Sequence, residues 1–380
     1  MSDNNLPLIT GPISYRNWKY ALSNFPKTGG FEFPLFTDAH ITSQLTDGIG
    51  PYKLINTIAI GRSKATRPSI ILRTDIHINE PLPDMNKTNI DAYHSGYFQD
   101  EITALVSLCM GIRLKAGGET REFESDDLIG RPIAYKASYD PVVPIIEESE
   151  RSPVIPNIVG EHSLEDAKLL TTIPMLTSQQ AITLIRAARL YQDALWIAET
   201  ESELSWIMLT SAIETVAGFW KNELVTPVDK LKLSRPELVN ILMEAGGEEL
   251  VIKVAEEIAP YMGATKTFID FILYFLPAPP EPRPSLFTQL SWEHSAMKKT
   301  MKIVYKYRSQ ALHGGTPFPA PMCMPPRKHD GNYAEIPLGL AMSTKGAVWL
   351  AKDTPILLNT FEYIVRHTIL NWWRSIIPLS

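Results

Sequence analysis

Cysteine is nearly missing from this chain: two in 380 residues, Cys109 and Cys323, far apart. Two distant thiols make neither a disulfide scaffold nor a zinc site. Long apolar runs are missing too. The longest candidate, Phe268–Leu276, contains Asp270 and stops at Pro277, well short of a bilayer span. No Gly-x-x-x-x-Gly-Lys-Ser/Thr loop, no Gly-x-Gly-x-x-Gly after a strand and no Gly-x-Ser-x-Gly turn is present. Phosphate-cradling loops, dinucleotide sites and strained serine nucleophiles are therefore not expected. His40, His77, His94, His162, His294, His329 and His367 lack metal-ligand spacing. Neither a cofactor nor a metal is expected. The opening Met1–Pro7 has no cationic stretch leading into an apolar core, so no secretory signal is expected, and the chain reads as cytoplasmic with no membrane partner.

Excess charge of one sign is also lacking where a nucleic-acid binder would show it. The net charge is −6. Residues 1–176 hold 16 Lys and Arg against 22 Asp and Glu, and residues 177–380 balance at 20 of each. Any RNA contact must rest on a local patch, and an acidic bulk limits indiscriminate binding. What is present is ample apolar material: 44% hydrophobic and 21% charged residues fit packed cores rather than disorder. The length favours two domains.

Along the chain the period of the pattern changes. Residues 1–90 are rich in Pro, Gly, Asn and Asp between β-branched runs, and Leu54–Ile60 and Ser69–Ile76 read as strands. Asp100–Met110 reads as a buried helix with Asp100 as N-cap. Gly117, Gly118 and Ile129–Pro132 mark turns before a further strand at Ile133–Tyr135. From Asp140 to Pro174 the chain is rich in Pro, Glu and Ser and reads as a connection. Beyond it, Ser178–Glu199 and Ser202–Trp220 form two strongly apolar helices in a hairpin. Ser234 to Glu237 reads as a capping box opening a helix that stops at Gly246-Gly247, followed by helices at Glu248–Ile258 and Thr265–Leu276. A proline-rich excursion, Pro317–Pro326, leads to a last helix, Pro355–Ile376, with Thr354 as N-cap. The expected fold class is α+β. The expected division is an N-terminal α+β sensor or regulatory domain (1–140), a linker (141–176) and an all-α region with a C-terminal helix (177–380).

The stretch Tyr305–Gly315 carries the chemistry. It sets Arg308 and His313 on one helix, with Ser309 after the arginine and Gly314-Gly315 after the histidine. Arginine is a permanent cation with a forked donor array suited to phosphate. Histidine exchanges a proton near neutral pH. From about Ser291 to Gly314 there is no glycine or proline. At 100° per residue Met297, Met301, Val304, Arg308 and Leu312 share one stripe, so Arg308 stands where an apolar residue is expected. A guanidinium placed there needs a paired carboxylate or a bound anion. Lys298, Lys302 and Lys306, spaced by four, form a second stripe, suited either to an RNA backbone or to plain solvation. A regular helix turns His313 about 140° from Arg308. Two arrangements stay open. Either the helix ends or distorts near the histidine, under the stop signal of the two glycines, or the two groups line different flanks of a surface completed by a second copy.

These residues resemble the HEPN superfamily, and the form Tyr305 through Gly314 is most similar to its ApeA-like branch, found in prokaryotic defence and toxin-like proteins. Leu209–Val216, with Glu214 on an earlier helix, agrees with that branch, and the resemblance covers residues 177–320. It implies a helical-bundle domain that acts as a homodimer, cutting RNA without metal in antiphage defence or growth arrest. Carried over, His313 is the general acid or base at the ribose 2′-hydroxyl and leaving oxygen. Arg308 holds the scissile phosphate, Ser309 positions phosphate or arginine, and Glu214 orients Arg308. The partners implied are RNA, a second copy and a regulatory or phage-derived trigger. The rival expectation is a catalytically silent module binding RNA, a nucleotide or a partner protein.

Overall fold

The computed structural model describes residues 9–57, 66–78, 80, 84–88, 90, 93–94, 96–132, 153–222, 226–258, 263–344 and 346–378. Both helices and strands are present, so the fold is mixed α+β. The first helix, α1 (Ile13–Leu22), precedes a bent antiparallel sheet. Its strands are β1 (Gly29–Thr37), β3 (Tyr52–Asn56), β4 (Arg67–Ile76), β6 (Arg121–Phe123) and β7 (Arg131–Pro132), in the order β3-β4-β1-β6-β7, with β5 (Lys115–Ala116) on the other end of β1. β1 is central, and its second half, Phe33 to Thr37, is buried at every position. Phe33 and Leu35 face inward with Leu54, Ile70 and Leu72. A register shift at Leu35/Phe36 bends the strand.

Helix α2 (Phe98–Met110) is buried along nearly its whole length, as its apolar run suggests. Its N-cap is Tyr97 rather than Asp100. Asp100 sits three residues inside the end, where its carboxylate accepts the Tyr97 backbone N–H at 3.2 Å. The strand expected at Leu54–Ile60 is placed earlier, as β3, and 58–60 lie outside the described residues, as does the strand expected at Ile133–Tyr135. Of the connecting segment, 141–152 lie outside the described residues. Residues 153–176 carry β8 (Glu161–Ser163), parallel to β2 (His40–Thr42), and a 3-10 stretch (Leu164–Met175) whose Leu164, Ala167, Leu170 and Ile173 are buried.

The helices α3 (Ser178–Ile197) and α4 (Ser202–Asn222) pack along each other, with the step 198–201 turning the chain back. α5 (Pro227–Ser234) and α6 (Pro236–Ile258) form a small excursion with its own core of Leu231, Val239, Val251 and Ala255. Ser234 therefore ends a helix instead of capping one, and proline at the first position starts α6. Gly247, at φ 68°, interrupts α6 at the glycine pair. α7 (Ala264–Tyr274) and α8 (His294–Gly314) return to α4.

After α8 the chain is not purely helical. Two hairpins form, β9 (Lys328–His329) with β10 (Asn332–Tyr333) and β11 (Ala341–Thr344) with β12 (Ala347–Leu350). α9 runs Leu358–Ile376 with Leu357 as its N-cap, not Thr354. Thr354 instead closes the preceding 3-10 turn, its N–H on the Ala351 carbonyl at 3.2 Å, and the Leu357 N–H goes to the Glu335 carbonyl at 3.1 Å. Among the described residues no helix is long and apolar enough to cross a membrane.

Candidate functional site

The site is built where α4, α7 and α8 meet. Met297, Met301 and Val304 are fully buried on α8, which fixes its rotation. The stripe then runs out toward solvent, since Leu312 is 47% exposed. Arg308 falls at the crossover, its side chain 18% exposed. Its Nη2 donates to Glu214 Oε2 of α4 at 2.5 Å. Glu214 is 20% exposed, so the pair is shielded and charge-assisted. Tyr305 joins it from the preceding turn. Its hydroxyl donates to Glu214 Oε1 at 2.8 Å, and its ring centroid lies 5.6 Å from the Arg308 guanidinium carbon. Burial, then the carboxylate it serves, push the Tyr305 phenol up to about 12. Phe268 of α7 backs the ring at 5.2 Å between centroids.

Two groups at this site are left open. Arg308 Nε is buried with no acceptor among the described residues. His313 is exposed on the last turn, and its ring makes no hydrogen bond among them. α8 stays helical to Gly314 and closes with Gly315 at φ 63°, while the Thr316 N–H reaches the Gln310 carbonyl at 3.2 Å. The helix thus ends near the histidine, as the first of the two arrangements has it, but it ends after His313 and keeps its regular turn through that residue. Arg308 and His313 stay on different faces of a regular helix.

The structure therefore brings Glu214 and Arg308 together and leaves His313 apart within one chain. Ser309 is half-buried beside them, and Lys298, Lys302 and Lys306 are all exposed, with no ion pair among the described residues. His294, the first residue of α8, is exposed. Tyr305 is the member that sequence reading left without a role. Its signal was the three-residue step to Arg308, which puts the two on adjacent turns of one face. The segment leaving α8 is anchored by Phe318, whose ring stacks on Trp206 of α4 at 5.1 Å, and Tyr307 donates to the Asp353 carbonyl at 2.8 Å.

Among the described residues no group of three or more His, Cys, Asp and Glu side chains is arranged to hold a metal ion. Comparison with protein-family models, with curated proteins and with solved structures finds no match to this chain.

Proposed function

We propose that the chain is a metal-independent endoribonuclease of HEPN type, with α3, α4, α7 and α8 forming its helical bundle, at work in antiphage defence or toxin-like growth arrest. The observation that carries this reading is the shielded Glu214–Arg308 pair, which holds a guanidinium at the helix rim by one hydrogen bond while its side chain stays 18% exposed. In this reading Arg308 binds the scissile phosphate and stabilises its growing charge. His313 moves the proton between the ribose 2′-hydroxyl and the leaving oxygen. Attack by the 2′-hydroxyl breaks the bond from phosphorus to the 5′-oxygen and leaves a cyclic phosphate and a 5′-hydroxyl. Glu214 orients Arg308, Ser309 steadies the phosphate, and the exposed lysines track the RNA backbone. Because His313 and Arg308 face different ways on one helix, two copies complete the cleft, each facing the other.

The test is cleavage of RNA in excess EDTA. Wild type cuts, and His313→Ala and Arg308→Ala each lose about 10²–10⁴-fold in rate. Cutting abolished by EDTA, or unchanged in both variants, refutes the assignment. The second reading, a silent module binding RNA, a nucleotide or a partner protein, is favoured by one observation: nothing among the described residues orients the His313 ring. Wild type that binds RNA and leaves it intact, with or without a trigger, establishes that reading.

A further inference from the structure

A carboxylate with both oxygens available takes an arginine side-on, through two parallel hydrogen bonds. Glu214 takes Arg308 through one oxygen only, and its other oxygen is held by a phenol that fixes how the carboxylate is turned. Tyr305 occupies Oε1 at 2.8 Å, and Arg308 reaches only Oε2, through Nη2. The phenol is no incidental core residue. A phenylalanine would fill the place against Phe268 equally well, and Tyr305 is 7% exposed, so its hydroxyl requires the partner it has. Arg308 Nε meanwhile lies buried without an acceptor among the described residues. A cationic donor in that state favours an anionic oxygen strongly.

We propose that Tyr305 is a positioning residue: by holding one oxygen of Glu214 it restricts the grip on Arg308 to a single hydrogen bond and reserves the remaining guanidinium donors for a phosphodiester oxygen of RNA. This rests on the ribonuclease reading above. The ring, backed by Phe268, also lies within cation–π reach of the guanidinium, at 5.6 Å from centroid to guanidinium carbon. The phenol keeps its proton throughout the working range, since its titration is pushed up to about 12.

Tyr305→Phe keeps the ring and deletes the hydroxyl, freeing the Glu214 carboxylate to turn and take Arg308 side-on. Two measurements on the full chain test this. The first is labelling by phenylglyoxal, an arginine-selective reagent, read at Arg308 by peptide mass spectrometry. Labelling slows several-fold in Tyr305→Phe and speeds up in Glu214→Gln. The second is cleavage of a single-stranded RNA oligonucleotide in EDTA. There kcat falls roughly tenfold in Tyr305→Phe, as expected for about 1.4 kcal/mol, while KM moves less and the pH profile keeps its shape. In a Glu214→Gln background Tyr305→Phe adds nothing, because no carboxylate remains to compete for. Melting temperature, followed by circular dichroism, stays within a few degrees throughout.

Unchanged or faster labelling of Arg308 in Tyr305→Phe overturns the proposal, as does an equal effect of that substitution in both backgrounds. Wild type that never cuts RNA defeats the ribonuclease reading instead, and the labelling alone then decides whether Tyr305 governs the guanidinium. Cleavage by wild type with labelling unaltered in Tyr305→Phe keeps the nuclease and removes the positioning role.

Discussion

Glu101 shows how a single buried carboxylate sets a pH dependence. It sits on α2 with no exposure, and its Oε2 accepts both the backbone N–H of Ser14 at 2.8 Å and the Ser14 hydroxyl at 2.6 Å. Burial pushes its carboxyl up to about 7 against the pull of those two donors. The folded state thus binds a proton that the unfolded state releases near the ordinary value of 4.5. Stability from this group is full below that value and is lost as pH rises through about 7. Urea unfolding should show a decline across that window, and Glu101→Gln, which still accepts from Ser14, should flatten it. A decline of equal size in both proteins would assign it elsewhere. The Arg308 anomaly was legible in the sequence because helical phase alone put a cation on an apolar stripe. Glu101 was not legible in that way: Asp100–Met110 announces a buried helix, but α1 supplies the partner, 87 residues away.

At the scale of elements, the end of α8 is held from outside. Trp206 of α4 is fully buried between Phe318, just beyond α8, and Phe361 of α9, at 5.1 and 4.6 Å between centroids. Trp206→Ala should cost about 3–5 kcal/mol of unfolding free energy, since this cavity opens between aromatic faces that cannot collapse. Thermal or urea denaturation measures it, and a loss under about 1 kcal/mol would show that the stack does not hold the segment. The bounds of α3 and α4 were legible to within a few residues, because long apolar periodicity and the capping Thr177 leave little choice. The start of α9 was misread, since Pro355 after Thr354 mimics a helix entrance. There the chain stays extended while Ile356 and Leu357 are pressed into the core. The hairpins β9–β10 and β11–β12 are too short for an alternating pattern to show.

For the whole molecule, one cluster of buried side chains runs from Tyr15 and Leu35 through α2 and α4 to Trp373. Two arginines pin its parts. Arg113, fully buried, donates to Asp38 at 2.5 Å, to the Leu195 carbonyl at 3.1 Å and to Glu199 at 3.4 Å. Arg366 of α9 donates to the Leu108 carbonyl at 2.9 Å and to that of Cys109, meeting the open C-terminal end of α2. The fully buried charge of Arg113 demands its partners, and the half-buried Arg366 is committed to the end of α2, so each arginine specifies which elements adjoin. The proposed composite cleft makes a prediction at this scale. Light scattering should give twice the monomer mass, and mixing inactive Arg308→Ala with inactive His313→Ala should restore part of the RNA cleavage. A monomer with full activity would remove the two-copy cleft.

By itself the sequence determined the α+β class, most of the helices and the arginine set into an apolar stripe, because each is written in local periodicity and chain-neighbour spacing. Tertiary structure alone decided that Tyr305 shares the Glu214 carboxylate with Arg308 and that His313 faces away on an unbroken helix. Those facts depend on the rotation of α8 against α4 and α7. That rotation is set by burying Met297, Met301 and Val304, a packing result that no local pattern contains.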